Sequence, residues 1–327
     1  MLQYLVILLD DASTSYCHYG LTPSPSPKVE GRLMPLQTLK DGIRFGMKEN
    51  LMIQFVYPDY ELPEEYLPVI ESIDHSKIRS PLPTSPNRGG DEPCADVIVI
   101  NEWGQLPIEC DVPIVLRTSR ADFFARYKEI VPLLSSVPRV NVTFTDVETF
   151  TDADFETYKA VLAELAKELE QLYVAGKAPQ LNILTDRLML TQMNNCGAGD
   201  TTITLAPNGK FYVCPAFYYE DETDSIGDLE HGLDIKNKQL YKLEYAPICR
   251  HCDAWQCKRC VWLNRKTTLE VNTPSREQCV MAHLERNASR DLLLAIRKHG
   301  AFLPETEIKE IDYLDPFDKR DTWDSEN

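Results

Sequence analysis

Seven cysteines, Cys196, Cys214, Cys249, Cys252, Cys257, Cys260 and Cys279, constrain this chain more than any other feature. Four of them fall in CRHCDAWQCKRC, as C-x2-C-x4-C-x2-C. Two cysteines two residues apart can turn both sulfurs onto one ion or cluster. Four in so short a segment point to metal ligation rather than to inert buried thiols. The compartment supports this. The opening MLQYLVILLDD lacks a basic start, and its apolar run, Tyr4 to Leu9, is too short for a secretory signal. No stretch approaches the roughly 20 apolar residues of a membrane span. A cytoplasmic protein is therefore expected, with no membrane association, and there thiols stay reduced instead of pairing as disulfides.

The segment NNCGAGDTTITLAPNGKFYVCP places Cys196 before a predicted hairpin and Cys214 on its return. Asn208-Gly209 is a two-residue turn signal, flanked by Thr202, Thr204, Phe211 and Val213, which suit strands. Such a fold brings Cys214 back toward Cys196. Zinc in a four-thiolate site is one reading. The short gap between the pairs and the three remaining cysteines favour iron-sulfur clusters, which take up to four thiolates each, so that two clusters use seven.

From the start to about residue 185, short aliphatic runs alternate with helical patterns. Strands are predicted at 2–9, 51–57, 96–100, 113–117, 140–145 and 181–184, each nearly continuously apolar, as in a parallel sheet covered on both faces. The clearest helix is 152–174, with Phe155, Tyr158, Leu162, Leu165, Leu169 and Leu172 on one face and a capping box at Thr151 and Asp154. Weaker helical patterns cover 35–48, 62–73, 120–134 and 289–298. Pro- and Ser-rich loops are expected at 21–31 and 76–93. The fold class is α/β, an open or partial (β/α) barrel at 1–190, with a cysteine-rich domain at 191–300 and an acidic tail at 301–327.

The cysteine order resembles the SPASM domain appended to peptide-modifying radical SAM enzymes: C, a gap, G-x4-C, a gap, C-x2-C-x5-C-x3-C, a gap, and a last C. Here Gly209-x4-Cys214 matches, and the inner spacings are each one residue shorter. The resemblance implies that Cys196, Cys214 and Cys260 serve one 4Fe-4S cluster and Cys249, Cys252, Cys257 and Cys279 another. It also implies a radical SAM-like partial barrel in front. That family places C-x3-C-x2-C after the first strand, whereas this chain reads DDASTSYCHYG. With Cys17 at the third position, Asp10 and Thr14 occupy the others, and cleavage of S-adenosylmethionine is not expected.

A cysteine-poor first loop with a complete tail is similar to the CXXX repeat peptide maturases. Their resemblance implies a maturation factor for a ribosomally synthesised precursor peptide with repeated cysteines. It leaves room for a companion modification protein and an electron donor, and leaves open whether the chain itself catalyses. Two other readings stand beside it: a non-enzymatic peptide-binding module stabilised by zinc, and an atypical radical SAM enzyme.

Among single residues, Asp10 and Cys17 are the catalytic candidates, Cys17 as a nucleophile, remnant ligand or sulfur carrier. Glu102, Arg117 and Asp146 follow or end predicted strands, the edge where barrel sites form. His18 and His251 neighbour cysteines of interest; Cys94 and Cys110 have no visible partner; Trp255 would shield a cluster from water. The net charge of -17 and pI near 4.8 oppose nucleic acid and suit a basic partner.

Overall fold

The structure, a computed structural model, describes residues 1–13, 16–17, 32–81, 95–107 and 110–318. In chain order the strands and helices begin with β1 (Tyr4–Leu8), α1 (Leu36–Lys48), β2 (Met52–Val56), α2 (Leu67–Ile70), β3 (Ser76–Arg79), β4 (Val97–Ile100) and β5 (Ile114–Thr118). Then come α3 (Arg120–Arg126), β6 (Val140–Phe144), α4 (Asp152–Val174), α5 (Asn182–Met189), β7 (Thr202–Leu205), β8 (Phe211–Tyr212) and α6 (Pro215–Glu220). Two short strands, β9 (Gly227–Asp228) and β10 (Gly232–Leu233), precede α7 (Val261–Thr268) and α8 (Arg276–Arg297).

Two compact units share the chain: 1–106, 114–117 and 197–245 form the first; 107–113, 118–196 and 246–327 form the second. In the first, β1 lies between β2 and β7 and is parallel to both, with Ile7 opposite Phe55 on one side and Leu205 on the other. β3, β4 and β5 extend the parallel order beyond β2, and β8 closes the other edge antiparallel to β7. Leu5 to Leu9 are wholly buried, as a continuous apolar run between two covered faces requires. Helix α1 approaches this sheet through Gly42 and Gly46, where an added Cβ would meet Leu205 and Ile53 respectively.

The predicted hairpin between β7 and β8 is present, but its turn is not the two-residue one: Ala206 N donates to Lys210 O and Gly209 N to Ala206 O, so Pro207, Asn208 and Gly209 form the loop, with Gly209 at φ 77°, a left-handed conformation that glycine adopts without steric cost. The loop reading of 76–93 needs correction at its start, because β3 pairs with β2 over Ser76 to Ile78. With one fully buried apolar residue, Ile78, it carries almost no strand signal of its own.

In the second unit α4 packs along α8, and α5 packs on α8 as well. Helix α4 has the predicted bounds, and Thr151 and Asp154 form its capping box. Phe123, Phe144, Phe150 and Tyr158 make an aromatic cluster, with Phe144 and Phe150 edge to face at 5.5 Å.

The strand predicted at 181–184 is instead the start of α5. Only Leu181 bridges to β6, at Val140, and Asn182 then completes the pairing with its side chain, accepting from Val142 N at 2.8 Å and donating to Val142 O at 2.9 Å. Thr185 Oγ1 accepts from Leu181 N at 3.0 Å, and Leu181, Leu184 and Leu188 are buried at helical spacing. The helical region predicted at 62–73 reduces to α2, 120–134 becomes α3 and a 3-10 segment, and the helix predicted at 289–298 starts earlier, at Arg276. Among the described residues, no helix is long and apolar enough to cross a membrane.

Candidate metal centre

The second unit gathers four of the seven predicted ligands. Cys249, Cys252 and Cys257 come from the segment ahead of α7, and Cys279 from the first turn of α8. Burial pushes the Cys249 thiol up to about 12, with Arg259 pulling it back and Cys252 adding to the rise. Burial likewise pushes Cys257 up to about 12, with contributions from Cys249 and Cys252. Cys279 rises further for the same reason and feels Cys257, Cys249 and Cys252. The four sulfurs are therefore close enough for each charge to act on the others. A bound metal has to displace their protons.

Backbone N–H groups already aim at this sulfur set: Ala254 N donates to Cys252 Sγ and Arg259 N to Cys257 Sγ, each at 3.4 Å. His283, buried on α8, donates from Nδ1 to Leu314 O at 2.6 Å, which leaves Nε2 facing Cys252 Sγ at 3.5 Å. Tyr313 packs edge-on to the same ring at 5.3 Å, so the segment ahead of Asp315 covers this side.

Asp253 anchors the cysteine segment. Arg286, fully buried, grips it in two-point fashion, Nε to Oδ1 at 2.9 Å and Nη2 to Oδ2 at 2.7 Å. Arg187, 2% exposed, donates from Nε to Asp253 O at 2.7 Å and lies 3.9 Å over the Trp255 ring. Burial opposes ionisation of Asp253, but the two guanidiniums outweigh it and hold its carboxyl below the usual range. Gln256 fixes the next residue pair through Ala282 O at 2.7 Å. Glu285 accepts from Tyr158 at 2.9 Å, and burial pushes its carboxyl up to about 7.

The remaining predicted ligands stand as follows. Cys260 is buried at the N-terminus of α7, its sulfur accepting from Leu263 N at 3.4 Å. Cys196 is exposed, two residues beyond Asn194, whose N–H donates to Trp255 O at 3.0 Å. Cys214, in the first unit, is buried and precedes α6. Among the described residues, no group of three or more His, Cys, Asp or Glu has the arrangement of an ion site. The donor set of the four thiols nevertheless suits a thiolate-bound cluster in its chemistry: soft ligands, buried or half-buried, with N–H donors on the sulfurs of Cys252 and Cys257. His251 is exposed and accepts from Arg250, and Trp255 serves as the stacking surface for Arg187.

In the first unit, the described residues just after β1 are held by hydrogen bonds from tyrosines. Asp10 is buried and accepts from Tyr60 at 2.6 Å and from Ala12 N at 2.6 Å. Tyr218 donates to Asp11, which also pairs with Arg32, and Tyr219 donates to Ser13 O at 2.6 Å. Burial, then the neighbouring carboxylates, raise the Tyr60 and Tyr218 phenols above their ordinary range, so they stay protonated donors. Cys17 is half-buried and acts electrostatically on Tyr219, as does Arg117, which is buried and donates to Asn101 at 2.9 Å. Sequence reasoning did not find these tyrosines, which carry no motif. Thr14, His18 and Cys94 lie outside the described residues.

Of the other candidates, Asp146 accepts from Arg120 N at 3.0 Å and so caps α3, Glu102 is exposed, and Cys110 is half-buried with its N–H on Ser136 O.

No family model matches this chain, and no curated protein does. Solved structures do. Native anSMEcpe with bound AdoMet is 13% identical, with a TM-score of 0.58 over 90% of this chain and 99% of that one. Native anSMEcpe with bound AdoMet and Cp18Cys peptide is 14% identical, again with a TM-score of 0.58, over 90% of this chain and 99% of that one. Streptococcus suis SuiB bound to precursor peptide SuiA is 13% identical, with a TM-score of 0.50 over 85% of this chain and 76% of that one. At such identities the likeness is one of fold, and the expected radical SAM-like α/β architecture is the one these structures share with this chain.

Proposed function

We propose that this chain is a maturation factor for a ribosomally synthesised precursor peptide, and that its second unit holds a 4Fe-4S cluster on Cys249, Cys252, Cys257 and Cys279. The observation that carries this reading is the placement of those four cysteines in one compact unit, Cys249 and Cys279 buried and Cys252 and Cys257 half-buried, with backbone N–H groups on two of their sulfurs. Cys196, Cys214 and Cys260 are kept as proposed metal ligands by resemblance alone. The peptide substrate is inferred from neighbours of the same fold that were solved with peptides bound.

When bound, such a cluster supplies one-electron transfer. The chain's own residues do the rest: Asp253 with Arg187 and Arg286 orients the cysteine segment, and Leu314 O and the Tyr313 ring hold His283 beside Cys252. In the first unit, the carboxylates of Asp10 and Asp11 are engaged by tyrosines, Asp10 by Tyr60 and Asp11 by Tyr218.

The test is metal and sulfide analysis after anaerobic purification, with electron paramagnetic resonance. About four iron and four sulfide per occupied site are expected. Cys249→Ala with Cys252→Ala should remove one signal. Zinc without visible absorbance would defeat the iron-sulfur reading, and formation of 5'-deoxyadenosine under strong reductant would show an active radical enzyme instead.

A further inference from the structure

Two buried guanidiniums in the second unit share one carboxylate. Asp253 answers both Arg187 and Arg286, so this pair carries one positive charge more than Asp253 neutralises. Arg286 is hydrogen-bonded at all three nitrogens, two to Asp253 and one to Asn287. Arg187 is not. Its Nε donates to Asp253 O and its Nη2 reaches Asp253 Oδ2 at 3.4 Å, while Nη1 is buried with no hydrogen-bond partner among the described residues. A buried cationic N–H with nothing to donate to is costly, and such a group in a native structure calls for an explanation.

The neighbourhood of Arg187 points to what that acceptor is. Its Nε is held on the backbone oxygen of Asp253, the residue that follows Cys252, which sets the guanidinium beside the cysteine segment. Its other face is closed by the Trp255 ring at 3.9 Å, which leaves an apolar wall and no competing oxygen on that side. Cys252 as a neutral thiol offers little to a guanidinium. A thiolate ligated to iron, or an inorganic sulfide, is electron-rich and accepts hydrogen bonds, and four thiolates around a cluster bring the net negative charge that a surplus buried cation answers.

We propose that Arg187 is the counter-charge and hydrogen-bond donor of the cluster held by Cys249, Cys252, Cys257 and Cys279, donating through Nη1 to its sulfur. This rests on the iron-sulfur reading above and extends it to a residue on α5, outside the cysteine pattern. Arg187 is a positioning residue: it ties the cysteine segment to α5 through Asp253 and stabilises the extra electron of the reduced centre.

The test is a potentiometric titration of the full chain, purified anaerobically and poised with dithionite and mediators, read by electron paramagnetic resonance. Arg187→Met keeps an unbranched apolar stem but removes the guanidinium, with its charge, its donors and its stacking on Trp255. It should keep its iron, with reduction disfavoured about tenfold, or about 59 mV lower for one electron. Arg187→Lys should recover most of the shift. A structural role alone would lower the melting temperature or the iron content and leave the potential of the remaining centres unmoved, and an unmoved potential overturns the proposal. Should Arg187→Met purify without iron, Arg187→Gln, which keeps a donor and drops the charge, must show the same direction of shift, and an unshifted Gln variant overturns it equally. A wild-type chain that binds no iron would instead remove the reading underneath.

Discussion

Asp253 is where a single atom change should do most damage. Replacing it with Asn leaves Arg286, wholly buried, without its carboxylate, and a stranded buried charge costs about 3–5 kcal/mol; the partial exposure of Asp253 puts the loss toward the lower figure. Urea unfolding of Asp253→Asn should show that loss together with reduced iron content, and a variant as stable as the parent would mean the clamp contributes nothing. Glu285 gives the pH-dependent counterpart. Between pH 4.5 and about 7 the folded chain keeps a proton on Glu285 that the unfolded chain has released, so stability drains as pH rises through that window and levels off above it. Glu285→Gln should flatten this part of the profile. Unfolding midpoints at intervals from pH 4.5 to 7.5 would show it, and equal slopes in both proteins would count against a buried, protonated Glu285.

Elements differ in how plainly the sequence announces them. Helix α4 was legible because 23 residues repeat the same apolar spacing over many turns and its first turn carries its own cap. Thr151→Ala should cost about 1 kcal/mol, visible as a lower thermal midpoint. The β7–β8 hairpin was legible from Asn208-Gly209, though its loop also takes in Pro207 and places only Gly209 of the three at positive φ. Gly209→Ala meets ordinary space, its nearest neighbour being Thr38 at 3.6 Å, so its cost is conformational, about 1 kcal/mol. Helix α5 was not legible as a helix: the four residues 181–184 alone satisfy either period, and only the following Arg187 and Leu188 break the tie. Strand β3 is the opposite failure, since its neighbours in the sheet hold it and its own composition does not.

At the scale of the whole molecule, the cysteines could be found by spacing because thiols that share a centre must come in close pairs. The arginines that serve them could not. Arg187 lies 66 residues and Arg286 33 residues from Asp253, and a buried arginine reads in sequence like any exposed one until the fold brings the carboxylate to it. Charge also acts on this scale. With a net charge of -17 the protein repels polyanions and draws in cationic partners over a distance set by salt. If the precursor carries a basic leader, association with a lysine-rich peptide bearing repeated cysteines should be driven largely by this field, through a faster on-rate more than a slower off-rate. Raising salt from about 50 to about 500 mM shortens the Debye length roughly threefold. Stopped-flow association should then slow by about tenfold, the lower end of the range for electrostatic steering. Rates that stay level across the salt series would mean that the acidic surface serves solubility and that recognition lies in shape and sulfur chemistry instead.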